Sequence, residues 1–116
     1  MELINYDGRI FIGVHVSEDG EVSGETVFHY KQDGIILSGT YAGGGIISGV
    51  LVGTVKKDDT LHFRYHHVNA GGKLESGECV SSPQVGEDGR VLLHEEWQMM
   101  DGQKSKGSSV VEEIES

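Results

Sequence analysis

The sequence predicts an all-β protein: an antiparallel up-and-down meander of about eight strands closed into a small barrel. Three observations carry this. Short segments alternate apolar and polar residues with a period of two, the mark of a strand with two different faces. Eighteen glycines and a single proline mark frequent tight turns between those segments. No capping box precedes an apolar stripe of helical spacing, so helices are not expected.

Residues 39–67 hold the clearest signal. There Leu61, Phe63, Tyr65 and His67 project to one side, and His62, Arg64, His66 and Val68 to the other. Taken in order, residues 9–17 read as the first strand, with residues 3–6 an earlier arm broken at Asp7-Gly8. A turn follows at residues 18–21, where Asp19-Gly20 accepts the positive φ of a hairpin. Strand two spans residues 22–31, with Val22, Gly24, Thr26, Phe28 and Tyr30 on one face, and Gln32-Asp33-Gly34 turns the chain. Strand three is 35–42, with Gly43-Gly44-Gly45 as its turn, and strand four is 46–56. After strand five (60–68) a longer turn leads to strand six, 74–82, which Pro83 is expected to end because it cannot donate to a ladder. Strand seven is 90–100 and sets Val91, Leu93, Glu95, Trp97 and Met99 against Leu92, His94, Glu96, Gln98 and Met100. A polar turn at 101–106 precedes strand eight, 107–114. The connections are too short for parallel crossovers. An open meander would expose its first and last strands, and closure removes both edges. A barrel of about eight strands holds its own side chains or one small ligand.

At 116 residues the chain is expected to be one domain, 1–116, large enough for a single core. The formal charge of −10 argues against a phosphate-binding surface for nucleic acid and against an anionic membrane surface as partners. Cys79 stands alone, so no internal disulfide and no thiolate metal cluster can form. The opening residues, MELINYDGR, lack the basic and apolar regions of a signal peptide. No apolar run approaches the roughly 18 residues of a membrane-spanning helix, and a cytoplasmic location is expected.

The segments GETVFHY, SGTYAGGGIISGVLVG, LHFRYHHVN, GKLESGECVSSP, DGRVLLHEEWQ and SKGSSVVEEI resemble a small bacterial family that commonly carries the name N-acetylglutamate synthase. Its turn-and-glycine rhythm is similar to that of lipocalin-like and avidin-like barrels. The resemblance runs from Gly8 to Glu113 and implies a barrel with an interior site. The name implies acetyl transfer from acetyl-coenzyme A, and the residues argue against it. A pyrophosphate is held best on a glycine loop that opens a helix. Gly43-Gly44-Gly45 is followed instead by the β-branched Ile46-Ile47, and residues 84–89 place Glu87 and Asp88 where a phosphate would sit. No cofactor is expected.

Several side chains could carry chemistry. His62 and His66 lie about 13 Å apart along a strand, too far to share one ion, so no metal site is expected without a cross-strand partner such as His94 or Glu96. With Phe63 and Tyr65 inside, which packing favours, Arg64 lies outside and pairs with an acidic neighbour; with the Arg64/His66 face inside, the buried guanidinium needs a carboxylate or an anionic ligand. Glu95 shares the parity of Leu93 and Trp97; a carboxylate on that face is paired or functional. Cys79 beside Glu78 has no basic partner and reads as an inert thiol. No Gly-x-Ser-x-Gly elbow is present.

The expected function is binding of a small molecule without catalysis, the ligand contacting Tyr30, Tyr41, Phe63, Tyr65, Glu95 and Trp97. One alternative is a barrel enzyme using Glu95 for proton transfer, with Tyr65 or Arg64 holding an anionic substrate. Another is an interaction or homo-oligomerisation module in which one residue of each pair Ile35-Ile36 and Ile46-Ile47 faces outward.

Overall fold

Eight strands follow one another along the chain: β1 (Ile10–Val16), β2 (Val27–Asp33), β3 (Ile36–Gly43), β4 (Ile46–Val55), β5 (Leu61–Asn69), β6 (Leu74–Val85), β7 (Val91–Met99) and β8 (Lys106–Ile114). The structure, a computed structural model, describes residues 4–16, 23–100 and 106–114. Each strand pairs antiparallel with the next, and β8 pairs with β1 from Ile10↔Ile114 to Val16↔Ser109. The ring of pairings is closed, as the alternation and the turns predict, so no strand is left as an edge.

The register sorts the wall into an inner and an outer face. Phe11, Phe28, Tyr30, Leu37, Tyr41, Leu51, Leu61, Phe63, Cys79, Val91, Leu93 and Val111 form one buried cluster, with Tyr65 and Trp97 packed against it. Burying each large apolar side chain contributes about 1.5–3 kcal/mol. A repeated device lets so many rings share a narrow space: five of them lie across a strand boundary from a glycine. The pairs are Tyr30↔Gly39, Tyr41↔Gly49, Phe63↔Gly53, Tyr65↔Gly77 and Trp97↔Gly107. A Cβ added at Gly49 would lie 2.5–2.8 Å from ring atoms of Tyr41, and one at Gly77 would strike the Tyr65 hydroxyl. The interior glycines are the space into which the rings fold.

Three boundaries differ from expectation. β2 begins at Val27, not at residue 22. Residues 23–26 form a turn closed by Thr26 N to Ser23 O (3.1 Å) and Ser23 N to Thr26 Oγ1 (3.0 Å), while the buried Thr26 hydroxyl donates to Gly43 O. Local side-chain hydrogen bonds compete here with the ladder and win. Val22, the turn expected at 18–21 and residues 101–105 of the turn expected at 101–106 lie outside the described residues, whereas Lys106 already belongs to β8 and pairs with Gln98.

Pro83 does not end β6, which runs on to Val85 and pairs with β7 to Val85↔Val91. Met100 N donates to Ser76 O and Gly86 N to Arg90 O, so the even-numbered residues of β6 turn their backbone groups toward β7. Pro83 therefore directs its nitrogen toward β5, whose ladder has already stopped at Leu61↔Ser81. No donor is lost there.

The arm expected near residues 3–6 is not a strand over its described part but a plug. Tyr6 is fully buried; its hydroxyl donates to Asp59 O (2.7 Å), and its N–H donates to Gln32 Oε1 (2.9 Å). Ile4 N donates to Asp59 Oδ1 (3.0 Å). These contacts seal the end of the barrel that carries the β4–β5 turn. At the opposite end the β3–β4 turn depends on Gly43 (φ 118°) and Gly44 (φ 64°), conformations that favour glycine.

Candidate functional site

The inner face has two unlike halves. β1, β2, β3 and β5 contribute a continuous band of rings. Phe11 lies 5.1 Å from Tyr30, Tyr30 meets Phe28 edge-on at 6.3 Å, and Phe28 stacks on Tyr41 at 5.0 Å. Tyr41 then meets Tyr65 at 6.5 Å, and Tyr65 meets Phe63 at 6.4 Å. These are tilted, stacked and edge-to-face geometries that aromatic quadrupoles favour.

β6 to β8 contribute the polar half. Glu95 on β7 sits in register with Ser81 on β6 and Ser109 on β8. Ser81 Oγ donates to Glu95 Oε2 at 2.7 Å, and Ser109 Oγ donates to Oε1 at 3.2 Å. Cys79 Sγ lies 3.7 Å from Ser81 Oγ. Glu95 is only 5% exposed, and burial raises its carboxyl above the usual range although the hydroxyls pull the other way. Burial, aided by the Glu95 charge, likewise pushes the Cys79 thiol up, which makes a nucleophilic thiolate unfavourable.

Tyr30, on β2, belongs to the ring band. It is 1% exposed, and its Oη has no hydrogen-bond partner. Burial first, and the Glu95 charge next, hold its proton on. Further along the lumen, Tyr41 Oη and His67 Nδ1 lie 2.8 Å apart in a buried contact, and Tyr65 Oη donates to Met99 Sδ at 3.4 Å. His67 packs its ring edge-on against Tyr41 and stacks on Tyr65.

All six residues singled out from the sequence lie on the inner face. Tyr30, Tyr41, Phe63 and Glu95 are buried, whereas Tyr65 and Trp97 are half-buried. Ser81, Ser109 and His67 belong beside them and were not singled out. The parity of Leu61, Phe63, Tyr65 and His67 held the signal for His67. The serines had none, because only strand register brings them to Glu95.

Outside the lumen, Arg64 is exposed and lies directly opposite Glu78. His62, His66 and His94 also face outward, and His94 Nε2 is 2.7 Å from Gln84 Oε1. Among the described residues no group of three His, Cys, Asp or Glu side chains comes together to hold a metal ion. The isoleucine pairs behave differently from each other. Ile46 is buried and Ile47 exposed, as alternation requires, but Ile35 and Ile36 are both exposed because Ile35 belongs to the turn before β3. Ile36 and Ile47 stand at opposite ends of the β3–β4 hairpin and do not make a shared patch. No helix among the described residues is long and apolar enough to cross a membrane.

A family model described as "Avidin-like protein" matches residues 4–114. No curated protein and no solved structure matches the chain.

Proposed function

The chain belongs to the avidin-like family, and from that premise we propose that it is a non-catalytic binder of a small molecule held inside the barrel. The ligand contacts Tyr30, Tyr41, Phe63, Tyr65, Glu95 and Trp97. One observation carries this reading: a fully buried phenol, Tyr30, has a hydroxyl with no hydrogen-bond partner, on the inner face that also carries the buried Glu95 carboxylate. Buried polar groups are nearly always hydrogen-bonded, and the exceptions call for a water, an ion or a ligand. A wall of rings with a few convergent polar groups is the usual make-up of a small-molecule site. A thermal-shift screen of metabolites tests the reading. Stabilising ligands that also perturb the fluorescence of Trp97, the single tryptophan, support it; a screen without any such ligand removes it.

The second reading is a barrel enzyme in which Glu95 moves a proton. It draws on the raised proton affinity of Glu95, since a carboxyl tuned upward is suited to acid–base work near neutral pH. Turnover of a bound ligand that is lost in Glu95→Gln favours this reading, and ligands recovered unchanged dismiss it.

A further inference from the structure

The chemistry of the lumen goes beyond a generic site. Resting on the interior-binding reading, we propose that the ligand is a compact organic ammonium ion, its nitrogen set between Glu95 and Tyr30 and its carbon skeleton against the aromatic band.

Glu95 is a carboxylate nine-tenths or more removed from water whose hydrogen-bonding partners are neutral: two serine hydroxyls and a thiol. A buried charge is expensive unless an opposite charge meets it. The ion pairs among the described residues lie elsewhere: Arg9 with Glu113 at 2.7 Å, Lys73 with Glu75 at 3.4 Å and Arg90 with Asp88 at 3.7 Å. None of them engages Glu95. An ionised carboxylate offers about four lone-pair sites, and the serines occupy two, so acceptor capacity remains.

Tyr30 supplies a second vacant acceptor. Its Oη is enclosed and has no hydrogen-bond partner. An ammonium group carries three N–H donors and no acceptor, which matches a carboxylate and a phenol oxygen that are both buried on the inner face with acceptor capacity to spare. A carboxylate ligand would bring like charge to Glu95, and a neutral alcohol would leave its charge unpaired.

The opposite half of the lumen favours the same class. Phe28, Tyr30, Tyr41, Phe63 and Tyr65 form the ring band, and aromatic faces attract cations most strongly when both are out of water. The net charge of −10 adds a long-range preference for cations over anions.

The test uses the full chain with three matched probe sets: n-butylamine and benzylamine as ammonium ions, 1-butanol and benzyl alcohol as neutral counterparts, and butyrate and benzoate as anions. Binding is followed by thermal shift and Trp97 fluorescence. The ammonium probes are expected to bind in preference to their counterparts. Glu95→Gln is expected to weaken them by roughly tenfold or more, the loss of one charge-assisted contact. Tyr30→Phe is expected to weaken them by a smaller factor, and it serves as the deciding variant if Glu95→Gln does not fold. Ammonium binding unchanged in both variants overturns the proposal. Neutral or anionic probes binding while ammonium ions do not overturns it too, yet leaves the interior-binding reading standing. No binding by any of the three sets, together with an empty metabolite screen, removes both.

Discussion

Ser81 Oγ and Glu95 Oε2 are 2.7 Å apart across the β6–β7 boundary, and both side chains are closed off from water. The serine hydroxyl offsets only part of the desolvation of the carboxylate, so the Glu95 carboxyl stays above its ordinary value. Between the unfolded and the folded value the folded chain holds more protons than the unfolded chain, so stability falls as pH rises through that window. Below the unfolded value, about pH 4 for a glutamate, both states are protonated and the penalty vanishes. Glu95→Gln keeps the shape and removes the titration. The variant is therefore expected to be more stable than the parent at about pH 7.5, with the difference shrinking toward about pH 4. Chemical unfolding of both proteins across that range measures it, and subtraction cancels the other carboxylates. A difference that grows as the pH falls would contradict the assignment.

The ring-against-glycine pairs predict a position-dependent cost. At Gly49 a methyl group would meet the Tyr41 ring at 2.5–2.8 Å, so Gly49→Ala overpacks the lumen and is expected to cost about 1–3 kcal/mol. At Gly24 the nearest atom to an added Cβ is Gly13 O at 3.6 Å, ordinary contact, and Gly24→Ala is expected to stay within about 0.5 kcal/mol of the parent. Combining Gly49→Ala with Tyr41→Leu should recover part of the loss, with a coupling of about 0.5–3 kcal/mol in a double-mutant cycle. Additive effects would mean that the ring and the glycine do not share the space.

The pairs also show how far the sequence could be read. Alternation alone decided that Phe63 shares a face with Tyr65 and Glu95 with Trp97, because side chains on a strand repeat every two residues whatever the partner. Which glycine receives which ring depends on register, and register arises from closure of the whole ring of strands. The same limit hid Ser81 and Ser109, ordinary serines until β6 and β8 bring them to Glu95. Thr26 and Pro83 were misread for a different reason. Each was judged by its local propensity, whereas Thr26 is held by a turn and by Gly43 O, and Pro83 by where the β5 ladder stops. The plug was missed because Tyr6 contacts Asp59 and Gln32, distant in sequence.

That plug yields a graded prediction. Tyr6→Phe removes the hydrogen bond to Asp59 O and keeps the ring, at an expected cost of about 0.5–1.5 kcal/mol. Tyr6→Ala empties a fully buried site in the core cluster and is expected to cost about 3–5 kcal/mol, the range for deleting a large aromatic side chain. Urea titration of the two variants checks both values. Equal, small losses would mean that the arm lies loosely on the barrel and does not seal it.

Tyr30 separates stability from binding most sharply. Its hydroxyl has been taken out of water without a partner, a cost of about 1–3 kcal/mol in the empty protein. Tyr30→Phe deletes that oxygen and leaves the contacts of the ring with Phe11 and Phe28 in place. The variant is expected to be as stable as the parent or more so, by up to about 1 kcal/mol, because no hydrogen bond is lost and a buried polar atom is removed. A residue kept for packing alone would show the same stability and no other change. A residue kept for a ligand pays for it in the free protein, so Tyr30→Phe should raise the melting temperature of the empty barrel and reduce the further rise on adding ligand. A clear loss of stability in Tyr30→Phe without ligand would show that the phenol oxygen is structurally engaged, and the strongest mark of an interior site would be gone.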